Sequence, residues 1–424
     1  QMIADVFAEC FGDLARVHPD AFRTKFRKMA ASAIAFYRGS SCLFYADLAA
    51  VSDDFAVGDA SRVWIHGDLH AENFGTYMSG DGALVFDVND FDEAFVGPFT
   101  WDVRRMAASL ALLAYGKAAS DEELRALVTA AVVAYVDQIE VFAGSASPNV
   151  VALTRQTTTG SVKELLSATS LRTRAGLLAT STVIEAYQRH FAAGQGVRRL
   201  SPEEREEVEA AFRDYAGTIP HGDRALEARV KDVVAREGVG IGSAGLPSYN
   251  LLLEGHTEAL ENDVLLYMKQ AAVATPSRFV HDPAVHSYFL HDGHRTALSQ
   301  RALQGSIDRW LGYCTLRGVG QVVAEVSPYA VDLDWDAVDQ LDDAYEVAGY
   351  LGRAAAKIHC VADAESGETL VTACADQAIT AAIAGRRDAF VSEMVGFAES
   401  YACQVRDDHR LFVDLFRNHR LLGL

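Results

Sequence analysis

WIHGDLHAENFGTYMSGDGALVFDVNDFDEAFVGPFTWD, residues 64–102, carries two short apolar runs that each end in a knot of acids and amides. The runs, Arg62–Ile65 and Ala83–Val88, have the branched and aromatic composition of strands. Past the first come His66, Asp68, His70 and Asn73; at the end of the second come Asp87, Asn89, Asp90 and Asp92. Carboxylates and amides set just beyond strand ends suit a hard divalent cation, because Mg²⁺ takes oxygen ligands and keeps waters and substrate phosphates in its shell. A solvated turn would also be acidic. It would not need an Asn five residues after an Asp, then a strand, then more carboxylates.

Composition bounds the rest. At 424 residues the chain exceeds one ordinary core, so two lobes are expected. A formal charge of −20 argues against a surface for nucleic-acid phosphates. Six cysteines (Cys10, Cys42, Cys314, Cys360, Cys374, Cys403) are scattered without a CxxC pair, which fits a reducing cytoplasm better than disulfides or a zinc site. No apolar run approaches the ~20 residues of a bilayer span, so no membrane partner is expected.

Outward from the central stretch, residues 1–36 read as helices: Phe7, Phe11, Phe22, Phe26 and Met29 recur at helical spacing. Phe36-Tyr37-Arg38-Gly39-Ser40 breaks that pattern, and Arg38 suits either a phosphate contact or a tie to the acidic loops. After Asp102, the segments 103–115, 120–142 and 202–215 predict helices, the last with Ser201 as cap and Pro202 in its first turn. Between them, Lys163, Arg172, Arg174 and Arg189 are expected on solvated faces. Near residue 225 the pattern changes to strands at 230–235, 248–253 and 264–268, the last leading into Lys269. Glycines 238, 240, 242 and 245, with Ser243, lie between the first two strands and would let backbone amides approach phosphates closely. A dinucleotide-binding turn would open a helix there; Leu246–Leu253 continues as a strand instead. A helix over 296–303, a strand over 320–328, a helix over 342–359 and two or three helices to the C-terminus complete the chain.

His66-Gly67-Asp68 to Asn73, then Asp90-Phe91-Asp92, then Trp101-Asp102 resembles the two metal-dependent loops of aminoglycoside and choline phosphotransferases, members of the protein-kinase-like fold. The glycine hairpin followed by Lys269 resembles the kinase glycine loop and phosphate-pairing lysine. Together with FYRG, GDLHAENFG, NDFDEA and the late glycine hairpin, the chain looks like a bacterial family of uncharacterised kinase-like proteins, domain of unknown function 2252. In the phosphotransferases the glycine loop comes first; here it comes last, which implies a circular permutation.

The resemblance implies an α+β, bilobal, circularly permuted kinase-like (aminoglycoside phosphotransferase-like) fold, with a small antiparallel β lobe and a large helical lobe. The expected division is 1–220 for the helical catalytic lobe, 221–330 for the nucleotide-binding β lobe and 331–424 for helices returning to the first. The implied function is ATP- and Mg²⁺-dependent phosphate transfer to a hydroxyl of a small-molecule acceptor. Asp68 would accept the hydroxyl proton; Asn73, Asp90 and Asp92 would hold metal; Lys269 would pair the phosphates. Gly240, Gly242 and Ser243 would cradle phosphates, and Glu325 and Val326 would meet adenine. Asp102 would buttress the first loop. Anchoring on Trp101-Asp102 selects Asp90 as the metal aspartate, anchoring on Asn73 selects Asp87, and both stay open. The glutamate that usually orients the lysine is missing between Glu261 and Glu325, leaving Gln300 or Asp308 as substitutes. Three other readings stay open: a metal-dependent hydrolase using His66, Asp68, His70 and Asp90, a nucleotide-binding pseudokinase, and an AMP transferase.

Overall fold

The computed structural model describes residues 2–144, 152–219, 229–237, 245–363 and 369–424. The chain opens with four helices, α1 (Met2–Val17), α2 (Pro19–Met29), α3 (Ala33–Gly39) and α4 (Ser41–Leu48). Strand β1 (Val63–Ile65) leads into the first loop and β2 (Phe74–Met78) leaves it; β3 (Leu84–Val88) leads into the second and β4 (Phe95–Gly97) leaves it. β1 pairs antiparallel with β4, Ile65 opposite Phe95, and β2 with β3, Phe74 opposite Val88. These two pairings bring the loops side by side. The Asn89 amide donates to the Asn73 carbonyl at 2.8 Å, and His66 Nε2 meets the Asn89 carbonyl at 2.7 Å.

Helices α5 (Phe99–Gly116) and α6 (Asp121–Ala143) follow, α6 opening on a capping box between Ser120 and Glu123. Next come α7 (Gly160–Thr169), α8 (Arg174–Ser181), a hairpin β5 (Thr182–Glu185) and β6 (Gln188–Phe191), β7 (Val197–Arg199) and α9 (Pro202–Ala216). The β5–β6 hairpin was not expected from the sequence. Its segment is broken by Thr and charged residues, which hide the alternation of a two-stranded ribbon.

Strands β8 (Val230–Arg236), β9 (Ser248–Leu253), β10 (Val264–Gln270), β11 (Gly312–Leu316) and β12 (Val319–Glu325) join β7 in one antiparallel sheet ordered β11-β12-β10-β9-β8-β7. Between β10 and β11 run α10 (Pro283–Tyr288) and α11 (Asp292–Gln304). Side chains alternate across the sheet. Leu251, Leu253, Leu266 and Met268 pack under α9 through Phe212 and Tyr215, while Leu252 and Leu265 meet Leu178 and Phe191 on the other face. Lys269 shares the parity of Leu265 and Tyr267, so it leaves the sheet on the face opposite α9. β7 and α9 therefore belong with the sheet, and the β lobe begins earlier than residue 221. The order of apolar residues within α9 gave a helix but not the surface it covers.

β13 (Val331–Asp332) returns to pair with β2. Then α12 (Leu341–Cys360), α13 (Ala375–Ile383) and α14 (Arg387–Arg417) complete the helical lobe. Residues 388–416, expected as two helices, form one. α12 lies tight on α6: a Cβ on Gly352 would come within 2.0 Å of the Ala131 carbonyl oxygen. The two chain ends meet in an aromatic cluster, with Phe412 of α14 at 5.9 Å from Phe7, 5.6 Å from Phe26 and 5.0 Å from Phe36 between ring centroids. The result is an α+β architecture with antiparallel sheets. Contrary to the sequence expectation, α6 is long and apolar enough to cross a membrane by length and composition; half of the qualifying window is buried inside the protein.

Candidate active site

The first loop is shaped from its backbone outward. Gly67 has φ +78°, and a Cβ there would fall 2.1 Å from the Glu93 carbonyl oxygen, so the two loops approach as closely as they do only because residue 67 is glycine. Both amides at the turn are received by one buried carboxylate: His66 N to Asp102 Oδ2 at 2.6 Å and Gly67 N to Asp102 Oδ1 at 2.9 Å. Behind Asp102 stand His359 Nε2 at 3.2 Å and, on its far nitrogen, the Tyr135 hydroxyl at 2.8 Å. Asp102 and His359 have no solvent exposure. Tyr45 donates to the Gly67 carbonyl at 2.6 Å.

Asp68 then projects beside Arg105, whose Nε donates to its Oδ1 at 2.6 Å. The other oxygen, Oδ2, has His70 Nε2 at 3.8 Å. Burial pushes the Asp68 carboxyl above its ordinary range, with the Arg105 charge opposing. Arg105 is itself caged: Nη2 donates to the Tyr37 carbonyl at 3.2 Å, and its guanidinium stacks 4.4 Å from the Tyr37 ring. Arg38 pairs with Glu72 of the first loop at 3.2 Å. FYRG is thus a clamp on that loop. Asn73 donates its Nδ2 to the Asp68 carbonyl at 2.9 Å, which turns its Oδ1 into the remaining acceptor.

In the second loop Asp90 adopts φ +58°, a left-handed conformation that L residues other than Asn and Asp seldom take. Asp90 is solvent-exposed. Desolvation by the surrounding protein, then the charge of Asp92, pushes its carboxyl upward, with Lys269 opposing. Lys269 crosses from β10 to Asp92 Oδ2 at 2.9 Å. Burial disfavours the ammonium, yet Asp92 and Asp90 outweigh this and hold its pKa above that of an ordinary lysine. Asp92 Oδ1 is buried with no hydrogen-bond partner among the described residues. Glu93 accepts the Thr275 amide, and burial, then the charge of Asp68, raises it to about 7.

Lys269 of the sheet thus meets Asp92 of the second loop, next to Asp90, while Asp68 and Asn73 are joined within the first loop. Asp87 does not join them: it is buried, bonded to Lys357 and to the Val88 amide, and accepts from the Tyr77 hydroxyl at 3.5 Å. Of the two aspartates left open in the sequence, Asp87 is the one tied up in these contacts. Neither expected substitute for the missing glutamate reaches Lys269. Gln300 bonds Gln304 within α11, and Asp308 receives the amides of Trp310 and Glu325. α11 is instead pinned to the second loop by Arg295, which donates to the carbonyls of Ala94 at 2.7 Å, Asp92 at 2.9 Å and Ala272 at 2.8 Å. Lys269 takes its carboxylate from the second loop, not from the helix.

Glu325 and Val326 stand at the end of β12, but their amides are donated to Asp308 and to the Leu265 carbonyl. Glu325 also forms a two-pronged pair with Arg174, at 2.7 and 2.8 Å, so Arg174 is engaged. Arg189 is buried against Thr182 and Asp263, not solvated as expected, because β6 lies over the sheet. Gly240, Gly242 and Ser243 lie outside the described residues.

A family model described as "Uncharacterized protein conserved in bacteria (DUF2252)" matches residues 16–415, nearly the whole chain. The chain belongs to this family. Neither a curated protein nor a solved structure matches this DUF2252 protein. The match spans both loops, Lys269 and the α12 residues Lys357 and His359, so the whole site lies inside the family's extent. Arg105, Arg295 and His359 of this DUF2252 protein were missed in the sequence. The signal available was a charged residue inside an otherwise apolar helix, as for Arg104 and Arg105 within 103–115.

Proposed function

We propose that this DUF2252 protein is a kinase-like phosphotransferase that moves the γ-phosphate of ATP to a hydroxyl of a small molecule. One observation carries the reading: Lys269, on the third strand of a three-stranded meander, meets Asp92 across the cleft, beside Asp90, Asn73 and Asp68. A lysine on the third strand with an aspartate and an asparagine on facing loops is the arrangement protein kinases use around ATP. The sheet adds support, since β8-β9-β10 is followed by α10 and α11 and then by a hairpin whose second strand, β12, pairs with β10. The sheet lobe comes after the two loops in this chain, which is why we read the order as a circular permutation.

The residues suit magnesium. Asp90 and Asp92 offer hard oxygens, Asp92 Oδ1 is buried without a partner among the described residues, and Asn73 Oδ1 is left as an acceptor. A magnesium ion held there would neutralise charge on the transferred phosphate. In the transfer itself, the acceptor oxygen bonds to the γ-phosphorus while the bond to the bridging oxygen breaks and ADP leaves. Asp68 Oδ2 takes the hydroxyl proton, and the raised carboxyl makes it a stronger base. Lys269 would turn from Asp92 to the phosphates, keeping its charge in the enclosed cleft. AMP transfer uses the same carboxylates and needs the nucleotide turned round.

The hydrolase reading fits less well. His66 Nε2 meets the Asn89 carbonyl and its Nδ1 accepts the Asp68 amide at 3.3 Å, so both ring nitrogens are engaged. Among the described residues no three His, Cys, Asp or Glu side chains are grouped to hold a metal by themselves.

The test is calorimetric titration of ATP into the wild type and Asp90→Ala, with and without Mg²⁺. We expect binding that needs Mg²⁺ and weakens by about tenfold or more in the variant, the size of a lost charge-assisted contact. Equal affinity in the two proteins would remove Asp90 from the site.

A further inference from the structure

On the sheet face opposite α9, strand register sets the side chains in rows. Lys269 of β10 stands opposite Ser248 of β9 and Val322 of β12, and Tyr267 stands opposite Asn250 and Ala324. Residues directly opposite each other on antiparallel strands share a face. The next row, Leu252 and Leu265, is buried with Leu178 of α8 and Phe191 of β6. Val322 and Ala324 are buried with Ala297 of α11 and with Leu311. In these three rows Ser248, Asn250, Tyr267 and Lys269 alone are half-buried, a window between two covered regions.

The window pairs a charge with a ring. The Lys269 ammonium lies 2.9 Å from Asp92 Oδ2 and 5.7 Å from the centre of the Tyr267 ring. That ring packs on one side against the cluster of Ala297, Val322 and Ala324. Neither its hydroxyl nor the Asn250 side-chain amide makes a hydrogen bond among the described residues. At the end of β12 the polar groups are engaged instead. The Glu325 amide goes to Asp308, the Val326 amide to the Leu265 carbonyl, and the Glu325 carboxylate to Arg174. A base arriving there finds no free amide on either residue to read its edge, whereas an aromatic ring accepts the face of any base.

We propose that the Tyr267 ring is the platform on which the nucleotide base stacks, held by its face and not by its edge, while Lys269, about 7 Å further along the strand, meets the phosphates. This rests on the nucleotide part of the phosphotransferase reading. It departs from the expectation that Glu325 and Val326 meet adenine, and its consequence is tolerance: ATP and GTP bind alike.

The experiment titrates ATP, GTP and tripolyphosphate, each with Mg²⁺, into the wild type, Tyr267→Phe and Tyr267→Leu. Leucine keeps apolar packing against α11 and removes the ring. We expect Tyr267→Leu to weaken both nucleotides by about 5- to 150-fold, the range for one base stacked on an aromatic side chain. Tripolyphosphate should bind all three proteins equally, which also controls for folding. Tyr267→Phe should bind both nucleotides as the wild type does, and ATP and GTP should differ by less than about tenfold. Three results would overturn the proposal: wild-type ATP affinity in Tyr267→Leu, an equal loss of tripolyphosphate and nucleotide, or a preference beyond about tenfold for one base. Ring-dependent binding in a protein that transfers no phosphate would keep the platform and remove the phosphotransferase reading. Phosphate transfer and ATP affinity that Tyr267→Leu leaves intact would do the reverse, and a wild type that binds no nucleotide would remove both.

Discussion

Asp68→Asn is expected to lower the rate of phosphate transfer by about 10²–10⁴-fold, the range for a positioned general base, with ATP affinity close to that of the wild type. The asparagine keeps the shape of the side chain and can still accept from Arg105 Nε, which donates to Oδ1 at 2.6 Å. It cannot take a proton. The position has a second cost: Arg105 has no solvent exposure, and losing the facing charge leaves its guanidinium uncompensated. Rates should therefore be read well below the melting temperature of the variant, with ATP titration as the control for folding. Wild-type transfer by Asp68→Asn would remove the base role. Loss of ATP binding along with activity would mean that Asp68 shapes the cleft and does not act on the acceptor.

The largest effect on stability is expected at Asp102. Asp102→Ala strips the acceptor from the His66 and Gly67 amides and from His359, all buried, and we expect a loss of about 3–5 kcal/mol, as when one partner of a buried charged pair is removed. Asp102→Asn should cost less, since one oxygen remains for the amides. Urea unfolding of the three proteins measures this directly. A cost near that of a surface substitution, within about 0.5 kcal/mol, would show that the loop holds its shape without the carboxylate. The expected pattern separates Asp102 from Asp68: one sets the loop, the other works at its tip.

Much of the site could be read from residues 64–102 because its parts are local. Two strands ending in oxygen-rich loops place Asp68, Asn73, Asp90 and Asp92 within one short stretch, and two local pairings, β1 with β4 and β2 with β3, bring the loops together. The meander was legible as three short apolar runs around a glycine-rich segment, and Lys269 by its place at the end of the third. What could not be read depends on distant partners. Asp87 and Asp90 are equivalent in composition; only Lys357, 270 residues away in sequence, tells them apart by claiming Asp87. The missing glutamate looked like a defect in the helix over 296–303, and the carboxylate was already present at Asp92. Arg295 fastens that helix through three backbone carbonyls, a role with no sequence signature. β7 and α9 were assigned to the wrong lobe because an amphipathic helix shows that it has an apolar face, not which sheet that face covers.

The proposal places the γ-phosphate of ATP between Lys269 and Asp68, and its most direct measurement needs no mutation. An ATP analogue with an acyl group on its terminal phosphate transfers that group to a lysine in contact with the phosphates, and peptide mass spectrometry then locates the label. The account predicts one dominant site, Lys269, protected by excess ATP and Mg²⁺. Labelling of other lysines at the same rate with and without ATP, and none at Lys269, would contradict it.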